Sequence, residues 1–457
     1  MPAGARLADG VTLALLALWL RIAIIGPMRF RVGDVRITAS SQLRVALFIA
    51  IVMIARHVRW RRPTLPSRLW SAVRRWWSEP NALAVPASAA LSRAAVLVVG
   101  LVAVSAFGLP PRMPRITDDP VRNIVARWDA FWYWNVLDKG YQWTPDGAQH
   151  NVAFFPAFPV GMGAMSAVLR WHPLHAGLLL SLSAFLVATV FLYRLARESL
   201  DAERALAAVW LLAAYPFSVY YSAPYTESLY LLSVLATLYY FGRGRWGWAA
   251  VWGAIAGLSR PNGCFLSAVL AIVVLGDMWR ARRDGRAAVT RRAVARLAVA
   301  SAPGLGMLAF TAYLYARFGV PMLWTDVQSA WGRTYVSVVD LTATRATDLR
   351  ANGLIAYLFS QPYEVMNSGA AVFGILMIVP VWRRLGLAYA VFVALSLMPP
   401  LVMGGTTSLA RVTSTLFPIF IVLSAWCNPA RRMALLAVFA TLQGLVAALF
   451  FTWRPLF

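Results

Sequence analysis

A chain of 457 residues that is 60% hydrophobic and 13% charged, with a mean hydropathy of +0.63, has too little polar surface for a soluble fold, which carries roughly 25% charged residues. Apolar runs close to the ~20 residues needed to cross a bilayer recur from end to end, and the alternating ten-residue segments of an outer-membrane barrel do not. The net charge of +25 lies in the loops between those runs, which marks the cytoplasmic face of a membrane protein and excludes a nucleic-acid partner.

The fold class expected is an all-α polytopic membrane protein with about 11–13 transmembrane helices. Arg6 precedes an apolar stretch, Val11 to Leu20, that Arg21 interrupts without a cleavage site, so this is a retained helix and not a signal peptide. Spans are expected at 11–27 and 44–55, with a basic connection (Arg29, Arg31, Arg36) that argues against a simple hairpin and places both partly in the interface. A basic segment from Arg56 to Arg75 (Arg56, Arg59, Arg61, Arg62, Arg68, Arg74, Arg75) follows, and a second runs from Arg280 to Arg296; both read as cytoplasmic topology determinants beside anionic lipid.

From the first basic segment a span at 92–110 leads outward to a long external loop, 111–175, whose basic residues, Arg112 among them, are nearly balanced by acids. Spans at 176–193, 205–221, 229–242, 246–258 and 264–278 then return the chain to the second basic segment. A span at 297–316 leads to a second external loop, 317–365, and spans at 367–381, 385–402, 412–426 and 433–452 follow. This count puts every Arg-rich turn on one side, and leaves the turn Gly404 to Arg411 outside. Three regions result: an N-terminal extension, 1–91; a core, 92–280, holding the first external loop; and a C-terminal bundle, 281–457. Gly253 and Gly257 form a small-xxx-small helix-packing face. Cys264 and Cys427 fall on opposite faces, so no disulfide is expected, and no metal motif is present in the sequence.

The polar residues of interest gather on the external face. Arg127-Trp128-Asp129-Ala130-Phe131-Trp132-Tyr133-Trp134 sets a carboxylate among aromatic rings, where ionised groups persist chiefly for chemistry. A helix over 126–137 would put Asp129 and Tyr133 on one face, lying in the interface with Trp132 beside them. Ala153-Phe154-Phe155-Pro156-Ala157-Phe158-Pro159 reads as a broken re-entrant element, because two prolines oppose a regular helix.

The series Trp128-Asp129, Gly140-Tyr141 and Ala153 to Pro159, then Ser222-Ala223-Pro224-Tyr225-Thr226-Glu227-Ser228-Leu229 and Gly257-Leu258-Ser259-Arg260-Pro261-Asn262-Gly263, resembles the PIG-V (GPI mannosyltransferase 2) family and its bacterial relatives over residues 92–280. Two departures stand out: eukaryotic members usually carry His where Trp132 stands, and an acidic stretch where Gly147 to His150 stands. The resemblance implies a glycosyltransferase C-type bundle in a bacterial plasma membrane. It further implies a polyprenyl phosphate mannose donor, an active site on the external face and Asp129 as base.

One positioned carboxylate suffices for an inverting displacement, so Asp129 takes the acceptor proton. The leaving lipid phosphate needs a cation: Arg411 first, Arg260 second. Glu227 would bind a sugar hydroxyl or pair with Arg260. Trp128, Tyr133 and Tyr141 are candidate substrate contacts, His150 a candidate phosphate contact, and Asp119 a rival base whose following Pro120 equally marks a solvated turn. Partners are the lipid-linked donor, the bilayer, and a lipid, glycan or protein hydroxyl as acceptor; no cofactor is expected. A transporter or flippase would instead need charges inside several spans, and a scaffold would depend on its Arg segments and not on Asp129.

Overall fold

The computed structural model describes residues 2–454 except 27, 33–34, 40, 62, 111–112, 288, 336 and 404; Arg62, Arg112 and Gly404 therefore lie outside the described residues. Helix α1 (Ala3–Ile25) and α2 (Gln42–Arg59) pack together and are joined by an antiparallel hairpin, β1 (Met28–Val32) and β2 (Val35–Ala39), in the register Met28 to Ala39. The basic connection between the first two expected spans is thus a β-hairpin, an exception to an otherwise helical fold among the described residues. The amphipathic α3 (Leu65–Trp77) follows. Arg56 is turned inward: its guanidinium is buried and meets Asp9 at 2.9 Å, and Arg68 joins the same carboxylate.

The core begins with α4 (Ala84–Phe107). The first long loop holds α5 (Ala130–Lys139) and the apolar α6 (Ala157–Leu169). Helices α7 (Pro173–Ala196), α8 (Ala202–Ala214), α9 (Glu227–Gly242), α10 (Trp246–Ser259) and α11 (Phe265–Arg283) lead to α12 (Arg291–Ala300) and α13 (Ala302–Phe318). The second long loop holds α14 (Leu323–Asp326), α15 (Val338–Asn352) and α16 (Leu354–Ser360). Then come α17 (Pro362–Leu376), α18 (Ile378–Leu385), α19 (Leu387–Val402), α20 (Leu409–Thr413), α21 (Phe417–Trp426) and α22 (Pro429–Phe451). Helix starts are fixed locally: Ser41, Asp201, Thr290 and Asn428 each accept from the backbone N–H three residues on.

Helices occupy every expected span. Among the described residues six of them are long and apolar enough to cross a bilayer on length and composition, or up to eight if each bent pair is one span. The expected span 297–316 bends by 41° between α12 and α13, and 205–221 is broken by 79° between α8 and the 3-10 turn Pro216–Ser222. Pro216 cannot continue the i→i−4 ladder, and the freed carbonyls must find donors away from water. Arg93 of α4 donates to Ala213 O at 2.6 Å and to Ser218 O, and Gln443 of α22 donates to Ala213 O at 2.8 Å and Tyr215 O at 2.9 Å. Beyond the 3-10 turn the backbone is extended at Ala223 and leads directly to Glu227, so the break carries the chain to the site.

Gly253 and Gly257 do form a packing face, with α10 laid against α13. A Cβ on Gly257 would fall 1.9 Å from Pro303 O and 2.9 Å from Met307 N. Cys264 and Cys427 are both free. Gly257→Ala is expected to lower stability by about 1–3 kcal/mol, because the collision is with backbone and α13 must move. Thermal unfolding in detergent checks this, beside Gly276→Ala, whose Cβ meets no atom within 4 Å and which should unfold at or slightly above the wild-type temperature, since Ala suits a helix interior better than Gly.

Candidate active site

The tract before α5 is anchored from behind. The Arg127 side chain is fully buried and donates from Nε to Phe451 O at 2.6 Å, and from Nη1 to Asn123 O at 2.7 Å and Ala126 O at 2.8 Å. Trp128 adopts φ +47°, a left-handed conformation that costs a bulky residue about 1–2 kcal/mol. Its indole Nε1 donates to Phe450 O at 3.2 Å and its ring lies 4.7 Å from that of Trp453. This kink points the next residue the other way. Asp129 donates its backbone N–H to Tyr225 Oη at 3.0 Å and stands at the N-cap of α5 without making a side-chain cap hydrogen bond. Helix α5 therefore starts at Ala130, later than the 126 expected, and the carboxylate stays available.

Asp129 lines a cavity of about 300 Å³ together with Tyr133, Phe154, Arg260, Arg333 and Arg411. Asp129 Oδ2 meets Arg411 Nη1 at 2.5 Å, and no hydrogen bond reaches Oδ1 from the described residues. Arg411 Nε donates to Glu227 Oε1, and Arg260 Nη1 meets the same oxygen at 2.5 Å. The four residues form one chain of contacts, Asp129–Arg411–Glu227–Arg260. Tyr225 and Tyr220 face the Arg411 guanidinium with ring centroids 4.6 and 5.4 Å away. Burial opposes the charge on Arg411, but Glu227 and Asp129 outweigh it and hold its pKa well above the ordinary arginine value. Glu227 is completely buried behind the two guanidiniums and is not a wall of the cavity, which favours the structural pairing over a sugar contact.

The first long loop builds one wall. Gly140, at φ +68°, ends α5, and Asn151 pins the following turn by donating to Gly140 O at 2.8 Å and Asn135 Oδ1 at 2.6 Å and accepting from Gln142 N–H at 2.8 Å. Tyr141 donates to Phe154 O at 2.8 Å and is buried against Phe310, so it shapes the wall from behind and is not part of it. The prolines of the expected re-entrant element sit at the N-cap and in the first turn of α6, where they cost no ladder bond. Tyr133 lines the cavity, and burial pushes its phenol up. The second long loop supplies Gln328, Ala330, Trp331 and Arg333, so residues of both long loops line the site. Trp331 packs edge-on to Trp132 at 5.7 Å, and Gln149 donates to Ala330 O at 3.3 Å.

Three sequence candidates lie elsewhere. Trp128 faces the end of α22. Asp119 is an exposed turn residue whose Oδ1 accepts from Val121 N–H at 2.9 Å and Arg122 N–H at 3.3 Å, and it is not among the cavity residues. His150 meets Asp146 at 2.7 Å in an exposed loop, where hydrogen bonds from Ala148 N–H, His150 and Thr144 hold the Asp146 carboxyl below the usual range; Gln149 takes the cavity position instead. Arg333 escaped the sequence reading because it stands in a polar loop, where one arginine is unremarkable. Its only signal is its place directly after Trp331-Gly332.

The family model of the mannosyltransferases (PIG-V) matches residues 104–341, just over half of the chain. The chain belongs to the PIG-V mannosyltransferase family. The matched stretch holds Asp129, Glu227, Arg260 and Arg333, while Arg411, which closes the network, lies beyond it. The chain is also 33% identical over 153 residues to the GPI alpha-1,6-mannosyltransferase 2 of Mus musculus and to that of Rattus norvegicus. Each match takes in 30% of this chain and 29% of the relative, so the chain spans less than a third of those proteins. Among solved structures, the oligosaccharyltransferase of Archaeoglobus fulgidus with Zn and sulfate is similar at a TM-score of 0.39 with 13% identity, over 79% of this chain and 53% of that one. The same archaeal enzyme with an inhibitory peptide and a dolichol-phosphate gives 0.39 and 12%, over 80% and 56%. Similarity at this level transfers no property of those enzymes to this chain.

Glu227→Ala removes the one carboxylate that the buried Arg411 and the half-buried Arg260 share. It is expected to cost roughly 3–5 kcal/mol in thermal unfolding, while Asp119→Asn and His150→Gln stay within about 0.5 kcal/mol of wild type.

Proposed function

We propose that this PIG-V family member is an inverting mannosyltransferase that moves mannose from a polyprenyl phosphate carrier to a lipid, glycan or protein hydroxyl at the external face of a bacterial plasma membrane. The observation that carries the reading is Asp129 at the cavity wall, with one carboxylate oxygen held by Arg411 and the other unbonded among the described residues. An acceptor hydroxyl is a poor nucleophile until a base takes its proton, and Oδ1 is the acceptor for that proton. As the proton moves to Asp129, the hydroxyl oxygen bonds to the sugar C1 and the bond from C1 to the phosphate oxygen breaks. A retaining route needs a second carboxylate as nucleophile. Glu227 is sealed behind Arg411 and Arg260, so its position supports the single-carboxylate, inverting route.

Arg411 acts here as the residue that orients the base, and Arg260 lines the cavity as the outer member of the pair with Glu227. The prenyl chain stays in the bilayer, because leaving it costs about 0.8 kcal/mol per CH₂. The sugar therefore reaches Asp129 from the side of the bundle, under the cap made by the two long loops.

Asp129→Asn keeps the shape and removes the base. Transfer of radiolabel from polyprenyl phosphate mannose to native membrane lipids is expected to fall by about 10²–10⁴-fold in a protein that still folds, with a lowered unfolding temperature because Arg411 keeps only Glu227 as a charged partner. Equal transfer by a folded Asp129→Asn would remove Asp129 from the chemistry.

A further inference from the structure

The charges around the cavity do not cancel. Asp129 and Glu227 are in contact with Arg411 and Arg260, two carboxylates against two guanidiniums. Arg333 is a third guanidinium on the same cavity, and its hydrogen-bond partners are neutral: Nη1 donates to Gln328 Oε1 at 3.0 Å and Nη2 to Ser408 Oγ at 3.3 Å. Among the described residues it makes no ion pair. Arg333 is half-buried, and burial and then the charge of Arg411 press its pKa below the ordinary arginine value, against the opposing pull of Asp129. Charges withdrawn from water are normally paired. An anion that enters the cavity would supply the missing partner.

The local backbone is built to deliver this side chain. Gly332 stands at φ +70°, a turn that side chains resist, and it separates Trp331 from Arg333. Trp331 packs against Phe154 and Trp132 in the cavity wall, which fixes the loop. Gln328 and Ser408 hold the guanidinium from two loops far apart in the chain. A planar guanidinium fork matches two oxygens of a phosphate.

We infer that Arg333 holds the phosphate of the lipid-linked donor, in place of Arg411, whose contacts are taken up by Asp129 and Glu227. The inference rests on the transferase reading above and deepens it. Its chemistry fits the direction of the reaction. The donor phosphodiester carries one negative charge, and the departing phosphate monoester carries about −1.5 to −2. A cation without a carboxylate partner stabilises that developing charge more than it stabilises the donor, which lowers the barrier as well as binding the substrate.

The test uses the full chain in lipid nanodiscs, with polyprenyl phosphate and uncharged polyprenol as probes. Polyprenyl phosphate should raise the unfolding temperature of wild type and polyprenol should not. Arg333→Gln should unfold as wild type does without ligand, bind polyprenyl phosphate on the order of 10- to 100-fold more weakly, raise KM for the donor and lower kcat. Arg333→Lys should recover part of each effect, which a purely structural role would not do. Wild type that binds polyprenyl phosphate through Arg333 but transfers no sugar would remove the transferase reading and leave this assignment standing. Arg333→Gln that binds polyprenyl phosphate as tightly as wild type would overturn the assignment, as would wild type that binds both probes equally.

Discussion

Two carboxylates and two guanidiniums lie in contact among aromatic rings, at the meeting point of four stretches far apart in the chain. Asp129 and Arg411 are separated by 282 positions, and Glu227 and Arg260 come from the start of α9 and the end of α10. Removing such ions from water is costly, and only close, complete pairing repays it. The surrounding backbone is arranged to meet that condition. The left-handed Trp128 turns Asp129 inward, and the proline break at Pro216 ends the preceding helix short of Glu227. Ser408, at φ +61°, starts the short α20 that presents Arg411. Any change that displaces one member leaves a buried charge facing its former partner, so the network fixes the mutual placement of helices as well as the shape of the cavity.

Much of this was legible in the sequence because charge in an apolar setting is conspicuous. Asp129 stood out among aromatic rings in the first long loop, and Glu227, Arg260 and Arg411 at the ends of apolar runs, and all four meet. Their union was not legible, since span counting gives a side of the membrane and not a contact. Window-averaged hydropathy passed over Arg93 and Gln443, single polar residues inside apolar helices, and so missed what satisfies the break at Pro216. Trp128 and Tyr141 show the opposite ambiguity. An aromatic ring in a motif is as good a packing element as a ligand contact, and here both rings pack. Asp119 and His150 belong to local turns, a role that a turn-forming sequence always leaves open.

The cavity itself belongs to the loops. Helices supply the ion network at its back, while the walls and cover come from residues around Phe154 and around Trp331. This division lets the spanning helices stay apolar toward lipid. It also concentrates the polar residues of the cavity rim in segments free to vary in length and sequence.

The anchoring of the Arg127-Trp128 pair has a consequence for biosynthesis. Both side chains donate to the terminal carbonyls of α22, and Gln443 of the same helix completes the repair of the break at Pro216. A nascent chain thus completes the Arg127-Trp128 segment and the break at Pro216 long before the helix that locks them is made. Until α22 inserts, the Arg127 guanidinium and the carbonyls at the Pro216 break lack partners they have in the finished fold, and the Asp129 carboxylate has no fixed direction. Chains stalled before α22 therefore keep polar groups unbonded in an apolar setting, and the site takes its final shape only once α22 is in place.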